Sequence, residues 1–236
     1  MKIMNWLKYG IAGILLSIVA VACIDDAENL IEDDDIADLL ENTLNSKSGG
    51  FDAQLEDMLY LVENYQDQCG QSIDSTFEKE RGIGSIATFN YTFTWAGTVN
   101  CDNNNVPQDI DFTYSTVGTY NVPNMSSTDE GNYNINVSGL LPSNTHYNLA
   151  GTYTRTGTQT AKLRNELTFT ATIGVSLTQM SIEKATKNIS SGSAAFTVTG
   201  ETSGGASISK DGTITYNNDN TVTINLNNKE YTFNLD

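Results

Sequence analysis

Ala87-Thr88-Phe89-Asn90-Tyr91-Thr92-Phe93-Thr94-Trp95 alternates apolar and polar side chains without a break. A period of two places the apolar side chains on one face of a β-strand, where they are buried. The same alternation returns along the rest of the chain, and further inward-facing residues are predicted at Ile110, Phe112, Tyr114, Tyr133, Ile135, Tyr147, Phe169, Phe196, Ile214, Ile224 and Phe233. The sequence therefore predicts a mainly β domain of roughly ten strands.

The connections between these runs decide how the strands pair. They are short and turn-like, as in Asn217-Asn218-Asp219-Asn220 and Asn227-Asn228. Parallel pairing needs crossover connections of about a dozen residues or more, so we predict an antiparallel meander. A two-sheet sandwich and a partly closed barrel both fit this pattern, and the alternation from Leu163 to Leu177 predicts one long strand.

A helical period precedes the strands. Apolar residues recur with helical spacing at Phe51, Leu55, Met58, Leu59, Val62 and Tyr65. This predicts one N-terminal amphipathic helix over residues 52–66 that packs on the β domain. Residues 71–84 are expected to form a polar loop.

The chain begins with a segment typical of an export signal. Lys2 and Lys8 precede an apolar run, Ile11 to Ala22, that is shorter than the about 20 residues needed to span a bilayer. The run ends in Ala20-Val21-Ala22-Cys23, which resembles the lipobox of bacterial lipoproteins. The resemblance implies that residues 1–22 are cleaved and that Cys23 carries fatty acid, including palmitate, as the membrane anchor.

The residues that follow resemble a second signal. Asp25, Asp26 and Glu28 are similar to the acidic surface-export signal of Bacteroidota lipoproteins. This resemblance implies an outer-membrane protein on the outer face of the cell, and the alternatives are the periplasmic leaflet and a plain acidic tether. Asp74-Ser75-Thr76 resembles the O-glycosylation acceptor of the same phylum, with Ser75 as acceptor, and a bare polar loop is the alternative.

The charge of the chain limits its partners. The formal net charge is −17, and the acidic residues concentrate before about residue 80. Such a chain repels nucleic acid, which is therefore not expected as a partner. The predicted organisation is a signal peptide (1–22), an acidic tether (23–50), a helix and loop (51–84) and an antiparallel β domain (85–236).

Two cysteines remain once Cys23 is lipidated. Exported proteins reach an oxidising compartment in which disulfides persist. Cys69 and Cys101 are then expected to pair, which places the end of the helix beside the Cys101 segment.

Catalytic and metal motifs are weak in this sequence. The only histidine, His146, has no flanking nucleophile pattern. Two polar clusters, Glu32-Asp33-Asp34-Asp35 and Asp102-Asn103-Asn104-Asn105, lack the glycine and closing glutamate of an EF-hand. We therefore expect solvated surface at both clusters, no metal, no cofactor and no enzymatic activity.

Three functional hypotheses remain. The first is a non-catalytic surface module that contacts a glycan or a protein, or that serves a structural role. The second is a carrier of an apolar ligand in a cavity between helix and sheet, and the third is a glycan-active enzyme. For the carrier, the residues expected to line the cavity are Phe89, Tyr91, Phe93, Phe112, Tyr114 and Phe169.

Replacing Cys23 tests the lipoprotein hypothesis. Cys23→Ala removes the thiol that would receive the lipid, so the protein should leave the membrane fraction and lose its fatty acid. Ser143→Ala serves as the matched control and should stay with the membranes. Fractionation and mass spectrometry provide the measurement, and a Cys23→Ala protein that keeps fatty acid would contradict the hypothesis.

Overall fold

The computed structural model describes residues 30–82, 86–164 and 166–235. Within these residues, two helices joined through a short 3-10 helix precede ten strands. The elements are α1 (Asp33–Leu44), the 3-10 helix (Ser46–Ser48), α2 (Phe51–Tyr65), β1 (Ser72–Arg81), β2 (Thr88–Cys101), β3 (Pro107–Asn121), β4 (Met125–Ser138), β5 (His146–Ala161), β6 (Thr168–Glu183), β7 (Ile189–Thr202), β8 (Ser207–Tyr216), β9 (Thr221–Leu226) and β10 (Lys229–Asn234).

The strands form one antiparallel meander in chain order, β1 to β10. The predicted mainly β meander is confirmed, and it is a single sheet in which β1 and β10 do not pair with each other. Two details of the prediction were wrong. Residues 72–81, expected as part of a loop, form β1. The strand expected to begin at Leu163 begins at Thr168, because Lys162, Leu163 and Arg164 lie in the connection before β6.

The two faces of the sheet differ as the alternation predicts. On the outward face of β4, Thr128, Glu130, Asn132 and Asn134 are exposed. On the inward face, Trp95, Tyr114, Tyr133 and Tyr153 occupy one register row across β2 to β5. Their rings stack with successive centroid distances of 3.8, 3.9 and 4.8 Å. This aromatic row forms the centre of the core on which the helices pack.

The acidic segment before α2 is part of the core. Residues 33–44, expected within a tether, form α1, whose side chains Ile36, Leu39, Leu40 and Leu44 are fully buried. Its apolar stripe is narrow but packs in the core beneath the inward face of the sheet, which supplies the burial that an isolated short helix lacks. For the described residues 30–50, the tether prediction was therefore wrong.

The predicted helix over residues 52–66 is present as α2. It begins one residue earlier, at Phe51, and buries Leu55, Met58, Leu59 and Val62. Phe51 stacks on Tyr153 at the end of the aromatic row, with 6.0 Å between ring centroids. Neither helix has the length and apolar run needed to cross a membrane, within the residues that the structure describes.

Both edges of the sheet contact the helical segment. Lys79 of β1 donates to the carbonyl oxygen of Ala53 in α2 at 2.9 Å. At the other edge, the amide of Ser46 donates to the carbonyl oxygen of Leu235 at 2.9 Å, and Asn45 donates to that of Asn234 at 2.8 Å. The helices therefore bridge the two edges of an open sheet.

Ion pairs fasten the acidic start of α1 to distant strands. Asp33 pairs with Lys210 of β8 and Asp34 with Lys229 of β10, each at 2.6 Å. The hydrogen bond from Lys210 lowers the pKa of Asp33, and that from Lys229 lowers the pKa of Asp34. Acidic residues in the first turn also favour the helix dipole.

Cys69 and Cys101 form a disulfide with a Cα–Cα distance of 5.6 Å. It joins the segment after α2 to the end of β2, the placement expected from the sequence. A backbone hydrogen bond joins the same two segments: the amide of Gly70 donates to the carbonyl oxygen of Val99 at 2.9 Å. The bond closes a loop with a sequence separation of 32 residues, for which chain entropy gives about 3 to 4 kcal/mol of stabilisation.

A buried ion pair lies beside the aromatic row. Arg155 of β5 donates to both carboxylate oxygens of Asp129 in β4, each at 2.9 Å. The hydroxyl groups of Tyr91 and Ser127 also donate to Asp129, at 3.0 and 2.6 Å. The Arg155 and Asp129 side chains are 3% and 0% exposed. Burial disfavours the Arg155 charge, but the interactions with Asp129, Tyr91 and Tyr120 together outweigh this effect, so the pKa of Arg155 is raised.

Two glycines make room for this network. A Cβ at Gly118 would lie 2.3 Å from Cδ1 of Tyr91, and a Cβ at Gly157 would lie 2.5 Å from Cβ of Asp129. Both distances are too short for a side chain. The inward positions beside Tyr91 and Asp129 must therefore stay empty for these side chains to lie against the sheet.

Removing one partner of the buried pair should destabilise the fold strongly. Arg155→Ala leaves the Asp129 carboxylate buried without its cation, which costs about 3 to 5 kcal/mol. The double variant Arg155→Met, Asp129→Leu should lose less, because it buries no charge. Denaturant unfolding measures both, with Lys229→Ala as an exposed ion-pair control that should change little. Equal losses in the single and double variants would contradict this explanation.

Acid should loosen α1 before the sheet. The pKa values of Asp33 and Asp34 are lowered in the folded state, so their contribution to stability is complete above the unfolded value of about 3.9. It is lost as the pH falls through their lower folded values. Amide-exchange protection of α1 should therefore fall below about pH 4 while that of β5 persists. Asp33→Asn, Asp34→Asn should remove this pH dependence, and an unchanged profile would contradict it.

Candidate functional site

The six residues expected to line an apolar cavity are packed in the core. Tyr91, Phe93, Phe112, Tyr114 and Phe169 are buried, and the half-buried Phe89 packs against the same cluster. Neighbouring rings contact each other, as in Tyr91 and Phe93, whose centroids lie 5.8 Å apart. Gln54 of α2 accepts a hydrogen bond from the Tyr114 hydroxyl at 2.7 Å. These positions therefore give the carrier hypothesis no support.

The anchor and export residues cannot be placed. Cys23, Asp25, Asp26 and Glu28 lie outside the described residues. Ser75 lies in the edge strand β1 rather than in a loop, and it is half-buried opposite Trp95. His146 begins β5, and its Nδ1 lies 2.8 Å from the hydroxyl oxygen of Thr145.

The two polar clusters considered for metal serve other roles. Asp33 and Asp34 pair with lysines, and Asp35 is buried and pairs with Arg164 at 2.7 Å. The expectation of solvated surface was therefore wrong for Asp35. Asp102 instead orders its own turn by accepting the amides of Asn104 and Val106 at 2.8 and 2.9 Å. Across residues 30–82, 86–164 and 166–235, no group of three or more histidine, cysteine or acidic side chains is placed to hold a metal ion.

A cleft of about 400 Å³ lies between α2 and two turns of the sheet. One wall is a helical stripe of α2, and the other is formed by the β6–β7 turn and by Asn220 in the β8–β9 turn. The lining residues are Asp52, Leu55, Glu56, Leu59, Tyr60, Glu63, Thr186, Lys187, Asn188, Ile189 and Asn220. None of the six residues predicted to line a cavity is among them.

The cleft combines an apolar floor with a polar rim. Leu55, Leu59 and Ile189 each keep 4% of their surface exposed and belong to the core. The exposed amide of Asn188 and the half-buried amide of Asn220 lie at the rim. Apolar floors with a few polar groups are typical of small-molecule sites.

Tyr60 supplies an exposed aromatic ring at this cleft. Its side chain is 59% exposed, and its ring meets Phe77 of β1 edge-on with 6.4 Å between centroids. The contact with Phe77 fixes the ring from the β1 side. The α2 residues on the side away from Phe77 line the cleft.

Charged residues in and beside the cleft connect α2 to its neighbours. Glu63 pairs with Lys187 of the β6–β7 turn, and Glu56 lies 3.5 Å from Lys79 of β1. Burial lowers the pKa of Lys187. Burial also raises the pKa of Asp57, although its ion pair with Lys79 opposes the shift. The carboxylates therefore hold the helix between β1 and the β6–β7 turn.

The β6–β7 turn is held by hydrogen bonds among its own residues and Glu183. The hydroxyl of Thr186 donates to Glu183 at 2.8 Å, and the amide of Glu183 donates to the carbonyl oxygen of Asn188 at 3.0 Å. Lys187 adopts a positive φ of 65°. This turn therefore presents Lys187 and Asn188 to the cleft from a hydrogen-bonded loop.

Sequence reasoning missed both the buried pair and the cleft. Arg155 carries one usable signal, because it follows Tyr153 at an inward position of an alternating strand. A charge at such a position requires a buried partner. Tyr60 carries no comparable signal, since its exposure depends on which strands lie beside α2.

No protein-family model, curated protein or solved structure shows significant similarity to the chain. The function of this chain is therefore inferred from its own residues and their geometry.

Proposed function

We propose that this protein is a lipid-anchored lipoprotein of the outer membrane whose folded domain is a non-catalytic, glycan-binding module at the cell surface. Cys23 carries the anchor, and Asp25, Asp26 and Glu28 direct the protein to the outer face. The cleft on α2 holds the ligand. The observation that carries the binding proposal is the exposed ring of Tyr60 beside an apolar floor and an amide rim.

The chemistry of the cleft suits a sugar. The ring of Tyr60 offers an apolar face for the C–H side of a pyranose. Asn188, Asn220 and Thr186 supply amide and hydroxyl groups for its hydroxyls. The cleft volume of about 400 Å³ lies within the range of small-ligand sites, roughly 300 to 1,000 Å³.

The charges of the cleft support a binding role. Hydrolysis of a glycosidic bond uses two carboxyl groups on opposite sides of the bond. Here the cleft carboxylates Asp52, Glu56 and Glu63 all lie on α2, and Glu56 and Glu63 pair with Lys79 and Lys187 on either side. Carboxylates arranged in this way favour a structural role in the cleft wall over roles as general acid and general base.

Glycan binding is tested with the water-soluble Cys23→Ala protein. An array of defined oligosaccharides with glucose, galactose, mannose and N-acetylglucosamine units serves as the probe set, and titration calorimetry measures the affinity of any that bind. Tyr60→Ala should weaken binding about tenfold, which corresponds to about 1.4 kcal/mol. The physical reason is the loss of the one aromatic ring that lines the cleft among the residues that the structure describes.

Val117→Ala provides the control. Val117 is also an exposed apolar residue, 63% exposed, but it lies on β3 and does not line the cleft. Its replacement should leave affinity unchanged. Binding that survives Tyr60→Ala would contradict this site, and release of shortened oligosaccharides during incubation would contradict the non-catalytic role.

A further inference from the structure

Three neighbouring connections lie at one end of the sheet. They connect β1 to β2, β3 to β4 and β5 to β6. The amide of Lys162 donates to the carbonyl oxygen of Asn124 at 2.9 Å, and its ammonium donates to that of Val122 at 2.6 Å. Thr88 pairs with Asn121 in the β2–β3 register. The β5–β6, β3–β4 and β1–β2 turns are therefore next to one another in space.

Helix α1 lies across the same end. Arg164 of the β5–β6 turn pairs with Asp35 near the start of α1, and Asn42 near its end donates to Asn124 of the β3–β4 turn at 3.1 Å. Leu30 precedes α1 by only a few residues. The described chain therefore begins at this end of the molecule.

This end carries exposed apolar side chains. Ile86 in the β1–β2 turn is 87% exposed, Leu30 before α1 is 54% exposed, and Leu163 in the β5–β6 turn is 49% exposed. Pro123, at the tip of the β3–β4 turn, is exposed between them. Isolated exposed apolar residues are ordinary, but these occupy adjacent turn tips around the point where the chain enters.

We propose that this end of the domain, with Leu30, Ile86 and Leu163 at its surface, rests on the bilayer that holds the lipid of Cys23. This inference rests on the proposed lipidation. Leu30 follows Cys23 by seven positions in the sequence, a span of at most roughly 25 Å even when fully extended. The anchor therefore keeps this end, and no other, close to the membrane, and its apolar turn tips enter the interfacial layer.

The charges of this end are compatible with a lipid surface. Asp33, Asp34 and Asp35 are paired with Lys210, Lys229 and Arg164. Asp38 also pairs with Arg164. Three cations therefore offset three of the five carboxylates between residues 32 and 38, which leaves this stretch less negative than its sequence alone suggests.

Tryptophan reporters test the orientation. In the mature protein Trp95 is the only tryptophan, and it is buried. Lipidated Ile86→Trp and Leu163→Trp proteins are reconstituted into phosphatidylcholine vesicles with brominated acyl chains, which quench nearby indoles. Both should lose emission relative to vesicles without bromine. Val117→Trp and Leu141→Trp replace exposed apolar residues elsewhere and should keep their emission.

Flotation of the same vesicles separates the two proposals. Protein that floats while Ile86→Trp and Leu163→Trp stay unquenched overturns the membrane contact and leaves the anchor standing. Protein that does not float overturns the lipidation and, with it, the membrane contact. Quenching of all four variants would also overturn the inference, because it would show no preferred orientation. Circular dichroism verifies that each variant is folded.

Discussion

The inward face of an open, ten-stranded sheet is apolar and must be covered, and the helical segment 33–65 supplies that cover. α1 and α2 bury their apolar faces in the core that contains Trp95, Tyr114, Tyr133 and Tyr153, and Phe51 of α2 stacks on Tyr153. The same segment receives Lys79 from one edge strand and bonds to Leu235 beyond the other. Without these helices the sheet would expose a continuous aromatic surface, so residues 33–65 belong to the domain that the strands define.

Much of the sheet could be predicted because its residues obey a period of two, as from Ala87 to Trp95. The edge strand β1 was not predicted because Glu78, Lys79, Glu80 and Arg81 are all charged, so the apolar–polar alternation is absent there. Charge is common on edge strands, where it discourages unwanted pairing. The apolar residues of α1 recur at helical spacing, but the acidic residues around them indicated a solvated tether. Only the lysines of β8 and β10, distant in sequence, show why α1 lies against the fold.

The candidate site could not be predicted because it is assembled across the chain. The cleft brings residues of α2 beside the β6–β7 and β8–β9 turns, and no local pattern in the sequence records that neighbourhood. The meander does fix where it lies. β6 runs from the β5–β6 turn, with Leu163, to the β6–β7 turn, with Lys187, and its 16 residues span about 50 Å. The proposed ligand site and the proposed membrane contact are thus at opposite ends of the longest strands.

The position of α1 has a mechanical consequence. If the protein is held by its N-terminal lipid while the cleft grips an external ligand, tension enters the fold at α1 and leaves it at the far end of β6. The first contacts to bear load are then the ion pairs of Asp33, Asp34 and Asp35 with three separate parts of the sheet. Because the load is divided among β8, β10 and the β5–β6 turn, no single pair has to resist the whole pull. The next contacts in line are the bonds of Asn45 and Ser46 to Asn234 and Leu235, so β10 and the residue after it help to secure the end of α1.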